Sequence, residues 1–211
     1  MGAFRLRDLS TVESLERTHK TVMEKIFVDP DQLLNDSFQL AMNIYESGYR
    51  PSYIVGVWRG GTPVGIAIQE VLEMLDCPTN HFAIRTSSYE GGTIQAREIK
   101  VMGLQHLIED INATDRLLIV DDIFDSGRSV EAIIDALHKR CRLNTPHDIR
   151  VATPYFKPKR NQTKRVPDFY LHETDEWTVF PHELRGCTEA ELRAQKNLPE
   201  KFYELLGKIE D

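Results

Sequence analysis

Leu117-Leu118-Ile119-Val120 is an apolar run without polar alternation. A strand that is apolar on both faces needs cover on both faces, as in a parallel sheet flanked by helices. The run leads straight into Asp121-Asp122-Ile123-Phe124-Asp125-Ser126-Gly127-Arg128-Ser129. Val130, Ile133, Ile134 and Leu137 then recur at helical spacing. Strand, polar turn and helix thus follow without a break, which is the repeating unit of an α/β fold.

Other segments fit that class. Asp29-Pro30 reads as a helix N-cap and first-turn proline, with an apolar stripe at Leu34, Phe38, Ala41 and Tyr45. Tyr53 to Trp58 reads as a strand, and Thr62-Pro63 opens a second helix with Val64, Ala67, Ile68, Val71, Leu72 and Leu75 on one face. His81 to Ile84, Ile149 to Thr153 and Phe169 to His172 are further strands. Thr188 and Glu191 form a capping box for a C-terminal helix. The expected architecture is one α/β domain over residues 1–211. Residues 1–30 form an N-terminal extension and 188–211 a helical C-terminal segment.

Composition narrows the function. The chain of 211 residues carries 33 acidic and 26 basic side chains, a formal net charge of −7. That balance argues against broad nucleic-acid binding, which runs on clustered Lys and Arg. No apolar run approaches the roughly 20 residues of a membrane span. The charged start Met1-Gly2-Ala3-Phe4-Arg5-Leu6 lacks the apolar core of a secretory signal. Cys77, Cys141 and Cys187 are widely spaced with no CxxC, so a reduced, cytoplasmic setting is expected. The seven histidines fit no zinc spacing.

The stretch after the apolar run carries the chemistry. In open α/β sheets, ligands bind beyond the carboxyl ends of the strands. A helix N-terminus presents free N–H groups and partial positive charge to a phosphate. Gly127 allows close backbone approach, and Ser126 and Ser129 add hydroxyl donors. Arg128 adds charge or points to solvent. Asp121, Asp122 and Asp125 offer acceptors for hydroxyls or a metal. Anion donors beside such acceptors suit a sugar phosphate. Asp121 and Asp122, if ionised, repel by about 4 kcal/mol at ~4 Å and an effective dielectric of ~20, which a cation or hydroxyl donors would relieve.

This segment resembles the phosphoribosyl-pyrophosphate (PRPP) motif of type I phosphoribosyltransferases: an apolar strand, two acids, two residues, then Asp-Thr/Ser-Gly-x-Thr/Ser. Every motif position matches, and the likeness runs from about Tyr53 to Glu183, nearest to the branch acting on 6-oxopurines. It implies a parallel sheet of about five strands flanked by helices, with a small hood. It also implies an enzyme that transfers phosphoribose from PRPP to hypoxanthine, guanine or xanthine and releases pyrophosphate.

Residue by residue, the resemblance implies that Asp125 is the general base. Asp121, Asp122, Ser126, Gly127, Arg128 and Ser129 would bind PRPP. Asp121 and Asp122 would position Mg²⁺, directly or through water. Trp58, Arg59, Gly60 and Gly61 would hold pyrophosphate, with a cis peptide at Trp58–Arg59. Ser88 and Tyr89 would belong to a lid that excludes water. Lys157 would donate to the purine 6-oxo group, Trp177 would stack on the base and Thr178 would read its edge through the backbone. An ammonium opposes adenine's 6-amino group, although it does not exclude uracil or orotate. Where some relatives have an aspartate supporting a second magnesium, this chain has His182-Glu183. The resemblance also implies a homo-oligomer. Two alternatives stay open: a pyrimidine phosphoribosyltransferase, and a nucleotide-sensing RNA-binding regulator using the basic run Lys157, Lys159, Arg160, Lys164 and Arg165.

Overall fold

A computed structural model describes residues 25–88 and 99–208. The chain runs β1 (Lys25–Phe27), α1 (Pro30–Glu46), β2 (Tyr53–Trp58), α2 (Gly61–Met74), β3 (Asn80–Ser88) and β4 (Ile99–Met102). It continues through α3 (Gln105–Asp110), β5 (Arg116–Val120), β6 (Ile123–Phe124), α4 (Arg128–Cys141) and β7 (Asp148–Phe156). Last come β8 (Phe169–Glu173), β9 (Trp177–Val179), α5 (Glu189–Gln195) and α6 (Glu200–Gly207).

Among the described residues the central sheet has seven strands. The parallel core of five strands is as expected, and its order is β3-β2-β5-β7-β8. Two additions escape the sequence pattern: β4 closes one side antiparallel to β3, and the two-residue β6 pairs with β7. Since β8 takes one edge of β7, β5 and β6 share the other. Asp121 and Asp122 are the break between them.

Alternating side chains divide the core in two. Val55, Val57, Leu117, Ile119 and Val151 meet Leu107 of α3 and Ile133 and Leu137 of α4. Ile54, Leu118, Val120 and Ala152 meet Leu40 and Ile44 of α1 and Val64, Ile68 and Leu72 of α2. The apolar run of β5 is therefore covered on both faces, as its composition requires.

The expected stripe on α1 is rotated. Asp29 caps the helix, but the buried positions are Leu33, Asp36, Ser37, Leu40, Ala41 and Ile44. Leu34 is 46% exposed, while Phe38 and Tyr45 are half-buried. Buried polar groups require partners, and here they have them. Asp36 accepts from Gln32 Nε2 at 2.7 Å and lies 2.9 Å from His172 Nε2, and Ser37 Oγ donates to Leu33 O.

The topology fixes where a ligand can enter. β2 and β5 are parallel neighbours, yet β2 leads through α2 to β3 on one side and β5 leads through α4 to β7 on the other. Their following loops diverge and open a crevice at the carboxyl ends. Over it sits a small hood: β1 pairs in parallel with β9, and α5 joins it through Lys25 Nζ, 2.8 Å from Glu191 Oε2. Residues 25–27, placed by the sequence pattern in the N-terminal extension, are thus a hood strand. The capping box of Thr188 and Glu191 is formed. Among the described residues no helix is long and apolar enough to cross a membrane.

Ile133 is fully buried between α4 and the sheet. Ile133→Ala is expected to cost about 2–5 kcal/mol, read from the urea midpoint; a loss well under 1 kcal/mol would contradict this packing.

Candidate active site

Two long helices begin at the crevice without a side-chain cap. α2 starts after Gly60 and α4 after Gly127, whereas Asp29 caps α1. Uncapped first-turn N–H groups and the helix dipole make both starts receptive to anions. They follow the loops after β2 and β5, so they flank the same strand ends.

The glycines are dictated by contact. A Cβ on Gly60 would strike the Asp122 carboxylate, and one on Gly61 would strike the Val120 carbonyl. Only bare backbone lets this loop lie against the two acids. Gly127 has φ +74°, and a Cβ there would press on Phe124 and on Thr163 Oγ1. The chain before α4 is further fixed by Lys157 N–H donating to Phe124 O and Gln162 N–H donating to Ser126 O. Ser129 Oγ lies 3.4 Å from Thr86 Oγ1. Trp58 and Arg59 are exposed, and the bond between them is cis, as expected.

Asp121 accepts from the Asp122 N–H at 3.0 Å. Burial pushes its carboxyl well above the usual carboxylate range, and the neighbouring Asp122 charge adds to this. Asp122 is itself buried, with His182 Nε2 3.1 Å from its Oδ2. The acids thus form a negatively charged patch relieved only in part by protein groups.

Beyond them lies a pocket of about 420 Å³ that brings together Asp122, Asp125, Lys157, Trp177 and Thr178. Lys157 is only 4% exposed, and its Nζ lies 3.8 Å from Asp125 Oδ2. Burial lowers the lysine pKa, while the Asp125 charge opposes that shift. The other carboxylate oxygen, Asp125 Oδ1, is shielded from solvent and receives no hydrogen bond. Arg160 Nε approaches it to 2.9 Å as an ion pair without hydrogen-bond alignment. The Asp125 carboxylate and the Lys157 ammonium thus lie side by side among the residues lining the pocket. Trp177 is 40% exposed and is backed by Gly186 and by Lys25, whose Nζ lies 5.2 Å from the ring centroid.

Ser88 ends β3, its backbone paired with Ile99 of β4. Tyr89, the other expected lid residue, lies outside the described residues. Three of the five residues of the basic run face carboxylates: Lys157 and Arg160 face Asp125, and Lys159 pairs with Asp175 at 3.0 Å. Sequence pattern alone misses Arg160, Phe180 and Glu183 as pocket walls. The capped turn Phe180–Glu183, where Phe180 N–H donates to Glu183 Oε2, leaves no periodic signal.

Comparison with known proteins agrees with this geometry. The family model described as phosphoribosyl transferase domain matches residues 29–185, so the likeness also takes in α1. The hypoxanthine-guanine phosphoribosyltransferase of Lactococcus lactis subsp. lactis is 27% identical over 161 residues, 74% of this chain and 79% of that one. A crystal structure of a purine phosphoribosyltransferase from Pyrococcus horikoshii superposes with TM-score 0.64 at 27% identity, covering 79% of this chain and 99% of that one. The Helicobacter pylori xanthine-guanine-hypoxanthine phosphoribosyltransferase shares the fold, with TM-score 0.57 at 23% identity over 74% of this chain and 92% of that one.

The glycine contacts give a direct test. Gly61→Ala is expected to lower the thermal midpoint by several degrees, because the carbonyl it meets belongs to a central strand. Gly207, with open space around it, should accept Ala with no loss. Equal effects would contradict the packing of the loop on β5.

Proposed function

The chain belongs to the phosphoribosyl transferase domain family, and from that premise we propose that it transfers phosphoribose from PRPP to a 6-oxopurine. The products are the nucleoside 5′-monophosphate and pyrophosphate. One observation carries the choice of base: Lys157 Nζ and Asp125 Oδ2 lie 3.8 Å apart, and both residues line the pocket. A 6-oxopurine protonated at N7 offers an acceptor, O6, next to a donor, N7–H, on one edge. Donor and acceptor in the pocket complement that edge. Adenine would set its 6-amino donor against an ammonium that has only donors. A single-ring pyrimidine lacks the N7 edge altogether.

The remaining roles belong to the same proposal. Asp121 and Asp122 engage the ribose hydroxyls. The turn Asp125-Ser126-Gly127-Arg128-Ser129, opening α4, holds the 5′-phosphate on its N–H groups. The loop Trp58-Arg59-Gly60-Gly61, opening α2, takes the pyrophosphate. Trp177 stacks on the base, and Thr178 contributes backbone groups to its edge; Ser88 and Tyr89 would belong to a lid that excludes water. As N9 attacks C1′ and pyrophosphate leaves, Asp125 takes the proton from N7. Sheet and hood then act as one catalytic unit.

The acids suit a magnesium ion. Asp121 and Asp122 form a pair of carboxylates in which burial and mutual repulsion strain the charged state of Asp121. No cluster of three metal-ligating side chains occurs among the described residues. Mg²⁺ is commonly held by one or two carboxylates together with water and substrate oxygens. Asp121 and Asp122 would hold it, directly or through water, and it would neutralise charge on the departing pyrophosphate.

The decisive experiment offers PRPP and Mg²⁺ with a panel of bases. Hypoxanthine, guanine or xanthine should drive PRPP consumption, and adenine, uracil and orotate should not; turnover confined to any of the last three would overturn the assignment. Asp125→Asn should lower kcat about 10²–10⁴-fold while PRPP binding persists, because the proton acceptor and the charge facing Lys157 and Arg160 are lost while the N–H groups of the turn remain. For Lys157→Ala, kcat/KM for the preferred 6-oxopurine should fall about tenfold or more, the scale of a hydrogen bond from a charged donor. Unchanged values would remove those roles.

A further inference from the structure

Asp122 is held from outside its own strand by a residue without an assigned role. His182 Nε2 lies 3.1 Å from Asp122 Oδ2. An ionised carboxylate only accepts, so the imidazole N–H donates. The side chains are 11% and 26% exposed, which limits competition from water. The imidazole is itself fixed. It lies on the Phe180 ring with centroids 5.8 Å apart and planes 8° apart. Phe180, 1% exposed, packs edge-on against Tyr155 of β7 at 5.4 Å. Glu183 Oε2 accepts from Phe180 N–H at 3.2 Å and closes the turn that presents His182. Across the carboxylate, the Gly60 backbone lies so close that a Cβ there would strike Asp122.

His182 also follows directly on the hood strand that carries Trp177 and Thr178. The imidazole therefore joins the base-holding segment to the acid that faces the ribose, 60 residues apart in sequence.

We propose that His182 is a positioning residue for the ribose subsite: its Nε2–H holds the Asp122 carboxylate in the orientation that meets the PRPP hydroxyls and ties the base-holding turn to that subsite. The inference rests on the phosphoribosyltransferase reading above. It acts on binding of the sugar phosphate, not on the proton transfer assigned to Asp125. Loss of the imidazole frees the carboxylate to rotate, and PRPP then has to order it on binding.

The test compares His182→Leu, which removes the donor, with His182→Gln, whose amide N–H has a similar reach. PRPP binding in the presence of Mg²⁺ is measured by titration calorimetry, beside KM, kcat and the thermal midpoint. His182→Leu should weaken PRPP binding and raise its KM about tenfold or more, with kcat and thermal midpoint little changed. His182→Gln should recover most of the affinity. Two results would overturn the proposal: PRPP bound by His182→Leu as tightly as by wild type, or a His182→Gln variant as weak as His182→Leu. Wild-type protein that binds PRPP but transfers to no purine would defeat the functional reading instead, and the calorimetric comparison would still decide His182.

Discussion

Two neighbouring carboxylates at the end of a buried strand are electrostatically unfavourable, and the surrounding structure is organised by that fact. The strand does not continue through Asp121 and Asp122, although β7 beside it does and pairs again with β6 just beyond. The break turns both carboxylates out of the ladder. Their charge is then met by partial positive groups: backbone N–H groups of Gly61 and Asp122 on Asp121, and an imidazole on Asp122. None carries a full fixed positive charge, so the acids keep an affinity for cations and hydroxyl donors. Full neutralisation by an arginine or lysine would give a more stable crevice with less reason to bind PRPP.

The same crevice must also hold anions, and the fold supplies them through the backbone. α2 and α4 start on opposite sides of the acids because β2 and β5 send their crossovers in opposite directions. On the proposed reading, phosphate groups would meet the two helix starts and the ribose hydroxyls the acids between them. The glycines at 60, 61 and 127 serve this layout through their lack of a side chain. The base pocket is built differently, from side chains gathered by the hood. Its β1–β9 pairing and the Lys25–Glu191 ion pair bring in segments from both ends of the described chain.

These two modes of construction explain what the sequence reveals. The PRPP-facing part is local: an apolar run, acids, Ser-Gly-Arg-Ser and a helix follow within one segment, so β5, α4 and their turn are legible. The α1 stripe is misphased because Asp36 and Ser37 occupy core-facing positions. Asp36 is tolerated there only through His172, 136 residues away, and hydropathy periodicity carries no record of that partner. Arg160 is hidden in a basic run that reads as solvated, and His182 contacts an acid from which it is far removed in sequence. The short strands β1, β6 and β9 are too brief for any period to show. What is missed is therefore chiefly what depends on pairing between distant segments.

Lys157 shows why the base site is built as a pair. Burying an ammonium is costly unless a carboxylate accompanies it. Asp125 is that companion at 3.8 Å, a separation longer than a hydrogen bond. Arg160 faces the other carboxylate oxygen at 2.9 Å, so Oδ2 and the ammonium stabilise each other without forming a hydrogen bond. A purine edge with an acceptor beside a donor can satisfy both groups at once while leaving their mutual attraction in place. A ligand presenting two donors or two acceptors would satisfy one group and confront the other. On the proposed reading, selectivity for the 6-oxo edge would arise from the same electrostatic balance that makes the buried Lys157 tolerable.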